Sequence, residues 1–370
     1  MHNFRKDPTF ILHQEDPING EPPSEKLVGA FITPTELFYV RTHGDIPQID
    51  LHTYRLRIHG LVDRELKLSL EDLRAHFSRK TLAATLECAG NRRLEMAALR
   101  PIPGEIPWEA GAVGTAEWSG APLSEVLLAA GVQRTARHAA LLGLDTVEKA
   151  GRSQPFGGSI PVSQALRGEA LLAYEMNGAP LEDLHGYPLR LIVPGTIGAR
   201  SVKWLAAVSL QRHPSENYFY AEGYQLIPSG EPTTAGVTAP GIHLGETNVN
   251  AAICGVRVTR PVADHTREVL VEGYALSGGE RTIERVELTS DGGRHWTTAS
   301  LLGDPQPYTW RLWKAVVQVS RGPVELAVRA WDSAANTQPE AIRSILNAKG
   351  YLNNAWGRVW LPLDQEPSGE

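Results

Sequence analysis

Cysteine is scarce in this chain, with two in 370 residues, and that scarcity excludes a disulfide-stapled scaffold. Basic charge is not in excess either. Lys and Arg number 36 against 42 Asp and Glu, a net charge of −6, whereas a general nucleic-acid binder presents a basic surface. No apolar run approaches the ~18 residues of a membrane-spanning helix. Met1 to Asp16 carries Arg5, Lys6, Asp7, Glu15 and Asp16 and lacks the apolar segment of a secretory signal. The G-x-G-x-x-G fingerprint of dinucleotide binders follows none of the apolar runs. These absences lead to the expectation of a cytoplasmic protein (periplasmic if a leader is removed) with neither a nucleic-acid nor a membrane partner.

What is present fits a folded chain of about two domains at the usual ~150 residues each. Residues 1–24 form a polar, Pro-rich extension, and residues 25–238 mix strand-like and helical periods in an α+β pattern. Leu37 to His43 reads as an apolar strand, and Leu51 to Gly60 as a half-buried one. Ser69-Leu70-Glu71-Asp72-Leu73 has the form of a capped helix start. Pro122 to Ala130 reads as a second helix closed by Gly131, and Pro161 to Leu166 as a third. Strands are expected over Thr81–Glu87, Ala139–Leu144, Leu171–Glu175 and Leu191–Val193, and from Arg200 onward. A linker rich in Pro and Gly (Pro228, Gly230, Pro232, Gly236, Pro240) leads to residues 239–370. There, strand-like runs separated by Ser277-Gly278-Gly279 and Asp291-Gly292-Gly293 predict an immunoglobulin-like β-sandwich. Cys254 lies in one of these runs and reads as core filler.

The chemistry centres on Leu86-Glu87-Cys88-Ala89-Gly90-Asn91-Arg92-Arg93. Read alone, Cys88 is a buried structural residue, because free cysteine packs like a small hydrophobe. Two arginines and a turn beside it favour the thiolate, which binds metal or attacks. Other cations and imidazoles stand at predicted strand ends: Arg41, His43, His185, Arg190, Arg200 and Lys203. Together with Gly-rich loops they suit an anionic, phosphate-bearing ligand.

These motifs resemble the sulfite oxidase family of molybdenum enzymes from Phe38 to Trp360. The resemblance rests on Glu87 to Arg93, Leu171 to Gly178, Val193-Pro194-Gly195 with Gly198-Ala199-Arg200, Trp310 to Trp313, and Asn353 to Trp356. It implies a molybdopterin-binding domain followed by a β-sandwich that forms a homodimer. Cys88 would be the thiolate ligand of molybdenum, beside the dithiolene sulfurs of molybdopterin. Tyr39, Val40, Arg41, Thr42, His43, Asp145, His185, Arg190, Ser201, Val202 and Lys203 would hold the cofactor. Arg190 and Lys203 would meet its phosphate, and Asp145 the ring N–H groups.

On the substrate side, Arg41, Arg93, Trp108, Tyr224 and Lys349 would surround sulfite or a similar small oxyanion. A cation at ~4 Å gains roughly 4 kcal/mol at an effective dielectric of about 20, before desolvation. Lys349 departs from the arginine usual in the family's sulfite oxidases. It keeps the charge and loses the bidentate fork. The resemblance further implies oxidation of sulfite to sulfate. The expectation is no haem, with electrons leaving to oxygen or a separate cytochrome. The alternatives are a reductase of nitrate or of an S- or N-oxide, a non-catalytic molybdopterin-binding dimer, and an adhesion module with a vestigial first domain.

Overall fold

The computed structural model describes residues 5–227, 241–262, 266–320 and 322–362. The expected linker residues from Pro228 to Pro240, and with them the expected boundary at 238, lie outside this set.

The first module is built on two five-stranded sheets. One runs, in spatial order, Gly157–Pro161, His138–Gly143, Leu205–Gln211, Leu56–Gly60 and Leu66–Leu68. Its pairs are antiparallel except Leu205–Gln211 with Leu56–Gly60. The other runs Ala179–Pro180, Leu171–Met176, Val113–Pro122 and Lys80–Glu87, with Arg190–Ile192 also on Leu171–Met176. Leu56, Ile58, Leu127, Leu141, Leu191 and Val208 are buried in one core cluster and remove their apolar surface from water there. Helix Leu70–His76 starts where the sequence signals it: the Ser69 hydroxyl accepts from Asp72 N and the Asp72 carboxylate accepts from Ser69 N. Helix Leu123–Ala130 stops at Gly131, which takes a φ of 71°. Asn177 and Gly178, at φ of 52° and 78°, make the tight turn after Leu171–Met176.

Several expectations need correcting. Only Val40–Arg41 of the run 37–43 pairs as a strand, and Leu51 to Arg55 lies outside the strand Leu56–Gly60. Residues 200–204 are not a strand: Gly198–Arg200 is a short 3-10 turn, and Trp204 has a φ of 48°. That irregularity frees Ser201 and Lys203 from a sheet ladder, so their side chains can turn toward the site. The N-terminal extension is ordered into strands Ile11–Gln14 and Asn19–Glu21, the latter paired with Val40–Arg41.

The second module is a sandwich of two four-stranded sheets. One holds Asn250–Val262, Thr266–Leu276, Arg311–Ser320 and Ser300–Leu301. The other holds Thr297–Thr298, Ile283–Thr289, Val324–Asp332 and Gly357–Leu361, the last of which the sequence reading missed. Ala315, Val317 and Val319 are buried while Lys314, Val316 and Gln318 are exposed, the period of two that a one-sided strand requires. Cys254 packs with Tyr274, Trp310 and Leu312.

The modules join at Arg92, buried and at a φ of 61°. Its Nε and Nη2 fork Glu95 at 2.8 Å each, and Nη1 donates to Asn250 Oδ1 at 2.8 Å and to Ala355 O at 2.9 Å. The Glu87 carboxylate accepts from Asn91 at 3.0 Å and from Asn250 at 2.9 Å. The turn that carries Cys88 is therefore anchored in the sandwich, which limits how far it can move.

Candidate active site

Strand Lys80–Glu87 delivers Cys88 at its end, where Cys88 N donates to Ala112 O at 2.9 Å and Cys88 O accepts from Asn91 N at 2.9 Å. The segment 193–200 is drawn against this strand end by the pairing of Glu87 with Ile197. At Gly198 a Cβ would sit 2.7 Å from the Tyr39 hydroxyl, so a side chain there would displace the wall of the site.

A cleft of about 670 Å³ opens here. Its walls include Tyr39, Arg41, Thr42, His43, Cys88, Asp145, His185, Arg190, Ser201, Lys203 and Tyr224 from the sequence-based set, drawn from seven separate stretches of chain. Val40 and Val202, also expected to hold the cofactor, are buried and are not among its lining residues. Sequence reasoning missed Phe38, Phe156, Leu184 and Trp204 on the same walls. It also missed Lys6, whose ammonium lies 3.0 Å from His185 Nε2 and donates to Thr35 O at 2.8 Å and to Phe38 O at 2.9 Å.

The electrostatics are unusual for a folded interior. Arg190 is buried, donates to His185 O at 2.9 Å and to Ser201 O at 3.2 Å, and leaves Nε without a partner. Burial lowers its pKa to about 10. Lys203 donates to Leu184 O at 3.0 Å, and burial holds its pKa well below the ordinary value, with Arg190 adding to the effect. His185 is pushed well below the usual imidazole range by burial and then by Lys6 and Arg190. Asp145, the acid among them, accepts from Phe156 N at 3.1 Å, and burial raises its pKa. Desolvated cations of this kind are costly without a counter-charge, and a bound anion would relieve them. Burial likewise pushes the Cys88 thiol up, opposed by Arg93 and Arg41.

His43 and Tyr224 stand between this cleft and a second one of about 730 Å³, and Arg41 lines both. His43 Nε2 lies 2.8 Å from Tyr224 Oη, and the imidazole stacks on Phe156 at 4.4 Å. Burial, then Arg41, hold its pKa well below the usual range, so the ring is neutral. Burial raises the Tyr224 pKa to about 12, which keeps the hydroxyl protonated and able to donate. Arg41 Nη1 donates to Asn19 Oδ1 at 3.1 Å.

Lys349 lines the second cleft and donates to Gly223 O at 2.9 Å. The other two substrate-side expectations fare differently. Arg93 and Trp108 line neither cleft. Arg93 is spent on the protein, donating to Lys349 O at 2.8 Å and Ile106 O at 2.7 Å beside Glu105 at 3.5 Å. Trp108 is fully buried, edge-on to Tyr39 and His13, with Nε1 unpaired.

The donor set decides what such a site can hold. Among the described residues no group of three or more His, Cys, Asp or Glu converges as a metal cage. A metal beside Cys88 would need further donors from a cofactor, and soft thiolate suits one already bound through sulfur. The unpartnered Arg190 Nε and the desolvated cations suit the phosphate of such a cofactor. The residues present therefore fit a molybdopterin that carries molybdenum.

Fold and site together define an oxidoreductase of the molybdopterin class. Residues 43–219 match the oxidoreductase molybdopterin binding domain, and residues 243–363 match the Mo-co oxidoreductase dimerisation domain. The chain belongs to the sulfite oxidase family. It is 41% identical to the sulfite oxidase of Gallus gallus, covering 95% of this chain and 78% of that one. Identity to the sulfite oxidase of Arabidopsis thaliana is 37%, covering 97% and 95%. Nitrate reductase [NAD(P)H] of Hordeum vulgare is 36% identical over 99% of this chain and 43% of its own length. Among solved structures, the sulfane dehydrogenase SoxCD of Paracoccus pantotrophus superposes with a TM-score of 0.78 at 27% identity, covering 98% of this chain and 87% of that one.

Proposed function

We propose that the protein oxidises sulfite to sulfate with a molybdenum–molybdopterin cofactor and works as a homodimer joined through its second module. The carrying observation is the buried thiol of Cys88 set in a cleft with desolvated cations, beside a second cleft that shares Arg41 with the first. Cys88 would hold the metal. Arg190, Lys203 and His185 would hold the phosphate, and the Asp145 carboxylate would accept from ring N–H groups. When bound, the cofactor supplies the two-electron chemistry by which sulfite gains an oxygen derived from water, with release of two electrons and two protons.

The chain's own residues bind and orient the anion. Arg41 and Lys349 face it with positive charge, and the hydroxyl of Tyr224, kept protonated by burial, donates a hydrogen bond to it. Neutral His43 fixes the position of that hydroxyl. Arg93 acts from behind, by holding the backbone of Lys349. Electrons would then pass to an external acceptor, oxygen or a separate cytochrome. No helix among the described residues is long and apolar enough to cross a membrane, and two free, buried cysteines suit a cytoplasmic setting.

A reductase of a related oxyanion is the second reading, favoured by the similarity to nitrate reductase. Two anaerobic assays on cofactor-loaded protein separate them. Sulfite with an artificial one-electron acceptor should give sulfate, and nitrate with a reduced viologen should give no turnover. Nitrate reduction without sulfite oxidation would reverse the assignment. Oxygen uptake with sulfite then distinguishes oxygen from a cytochrome as acceptor.

A further inference from the structure

The second cleft carries a carboxylate that an anion pocket has no evident use for. Arg41, Lys149 and Lys349 supply its positive charge, and Glu105 and Glu148 its negative charge. Glu148 is exposed. Glu105 is not peripheral: its side chain is 21% exposed, and its charge is felt at Lys349, Tyr224 and Tyr351. Its Oε2 lies 3.5 Å from Arg93 Nη2. That guanidinium cannot turn away. Nε and Nη1 are held by the carbonyls of Lys349 and Ile106 at 2.8 and 2.7 Å, and its Cζ lies 5.2 Å from the centre of the Tyr351 ring. Gly90 lies against it so closely that any Cβ there would collide with the guanidinium. The Arg93 charge is thus cancelled by Glu105, and an anion is met by Arg41 and Lys349 with a carboxylate in view.

We propose that Glu105 is a specificity-determining residue that weakens retention of dianionic oxyanions in the second cleft and so favours release of a product such as sulfate. The inference rests on reading this cleft as the approach of a small oxyanion. Coulomb repulsion scales with the charge on the anion. Removing one carboxylate charge therefore changes dianion affinity by the square of the factor for a monoanion. A threefold effect on the one predicts about a tenfold effect on the other.

The test is calorimetric titration of cofactor-loaded, full-length protein with sodium sulfate and separately with sodium nitrate at constant ionic strength. Glu105→Gln keeps the shape and removes the charge. It should tighten nitrate about threefold and sulfate about tenfold. Glu105→Asp keeps the charge and should stay within about twofold of the parent protein for both anions. Equal tightening of both anions, unchanged or weakened sulfate binding in Glu105→Gln, identical behaviour of the two variants, or no binding by any of the proteins would overturn the role of Glu105. Sulfite turnover is scored independently. Turnover with unaltered anion affinities removes this role and keeps the reaction, whereas the predicted affinities without turnover keep the role and remove the reaction.

Discussion

Asn19 is fully buried and uses its whole amide on the substrate side of the site. Its Oδ1 accepts from Arg41 Nη1 at 3.1 Å and from Thr42 N at 3.0 Å, and its Nδ2 donates to Pro17 O at 2.8 Å and to Gln14 Oε1 at 3.2 Å. Asn19→Ala leaves the Thr42 N–H unpaired, at about 2 kcal/mol, and removes a hydrogen bond from a half-buried arginine, at about 1 kcal/mol. A loss of about 3 kcal/mol lowers the melting temperature by roughly 6–12 °C in modules of this size. Arg41 would also lose one of the two hydrogen bonds that aim it into the second cleft, keeping the one to Thr42 O. If that misorientation forfeits about 1.4 kcal/mol of anion binding, the KM for sulfite rises about tenfold. Asn19→Asp separates the two effects. The carboxylate still accepts from Arg41 and Thr42, so stability falls less, but it neutralises Arg41, so KM rises at least as far as in the alanine variant. Thermal melts and steady-state kinetics on both variants decide the matter. A lowered melting temperature with KM unchanged in both would refute the link from Asn19 through Arg41 to the substrate.

Three further outcomes are expected. Cys88→Ser should abolish turnover and release molybdenum on gel filtration, read by metal analysis; full activity with retained metal would remove Cys88 as ligand. Lys349→Met should raise the KM for sulfite about tenfold with little change in kcat, because a uniformly bound charge is lost, and an equal fall in kcat would place its action in the transition state instead. Lys6 has a pKa lowered from 10.5 to about 8, with burial the main cause. Between those values the unfolded chain keeps a proton that the folded chain has shed, so stability rises with pH across the window. Wild-type protein should therefore gain up to about 3 kcal/mol relative to Lys6→Met between pH 8 and about 10.5, and parallel pH profiles of unfolding would contradict it.

The parts of this protein legible in its sequence are those set by neighbours along the chain. The Ser69–Asp72 box, the Gly131 stop and the Asn177-Gly178 turn each follow from a backbone requirement met within a few residues. The strand that ends at Cys88 and the strand runs of the sandwich were readable for the same reason. What was not legible is long-range. Nothing in the spacing says that Arg93 is consumed by the carbonyl of Lys349, 256 positions away, or that Lys6 reaches His185 across 179. Asn19 sits in a polar stretch that reads as surface, and only the pairing of Asn19–Glu21 with Val40–Arg41 brings it to the site. Trp108 illustrates the same limit: the resemblance put it on the substrate side, and its burial behind Tyr39, away from both clefts, was not readable. The irregular backbone of 200–204 was missed because apolar residues there signal a strand, while the carbonyl of Ser201 is used by Arg190.

The central claim is that sulfite delivers electrons to a metal held at Cys88. The most direct measurement is an anaerobic absorbance spectrum of cofactor-loaded protein before and after adding sulfite, with no acceptor present. The account predicts loss of the sulfur-to-molybdenum charge-transfer bands in wild-type protein. An unchanged spectrum, with molybdenum shown to be present in stoichiometric amount, would contradict it.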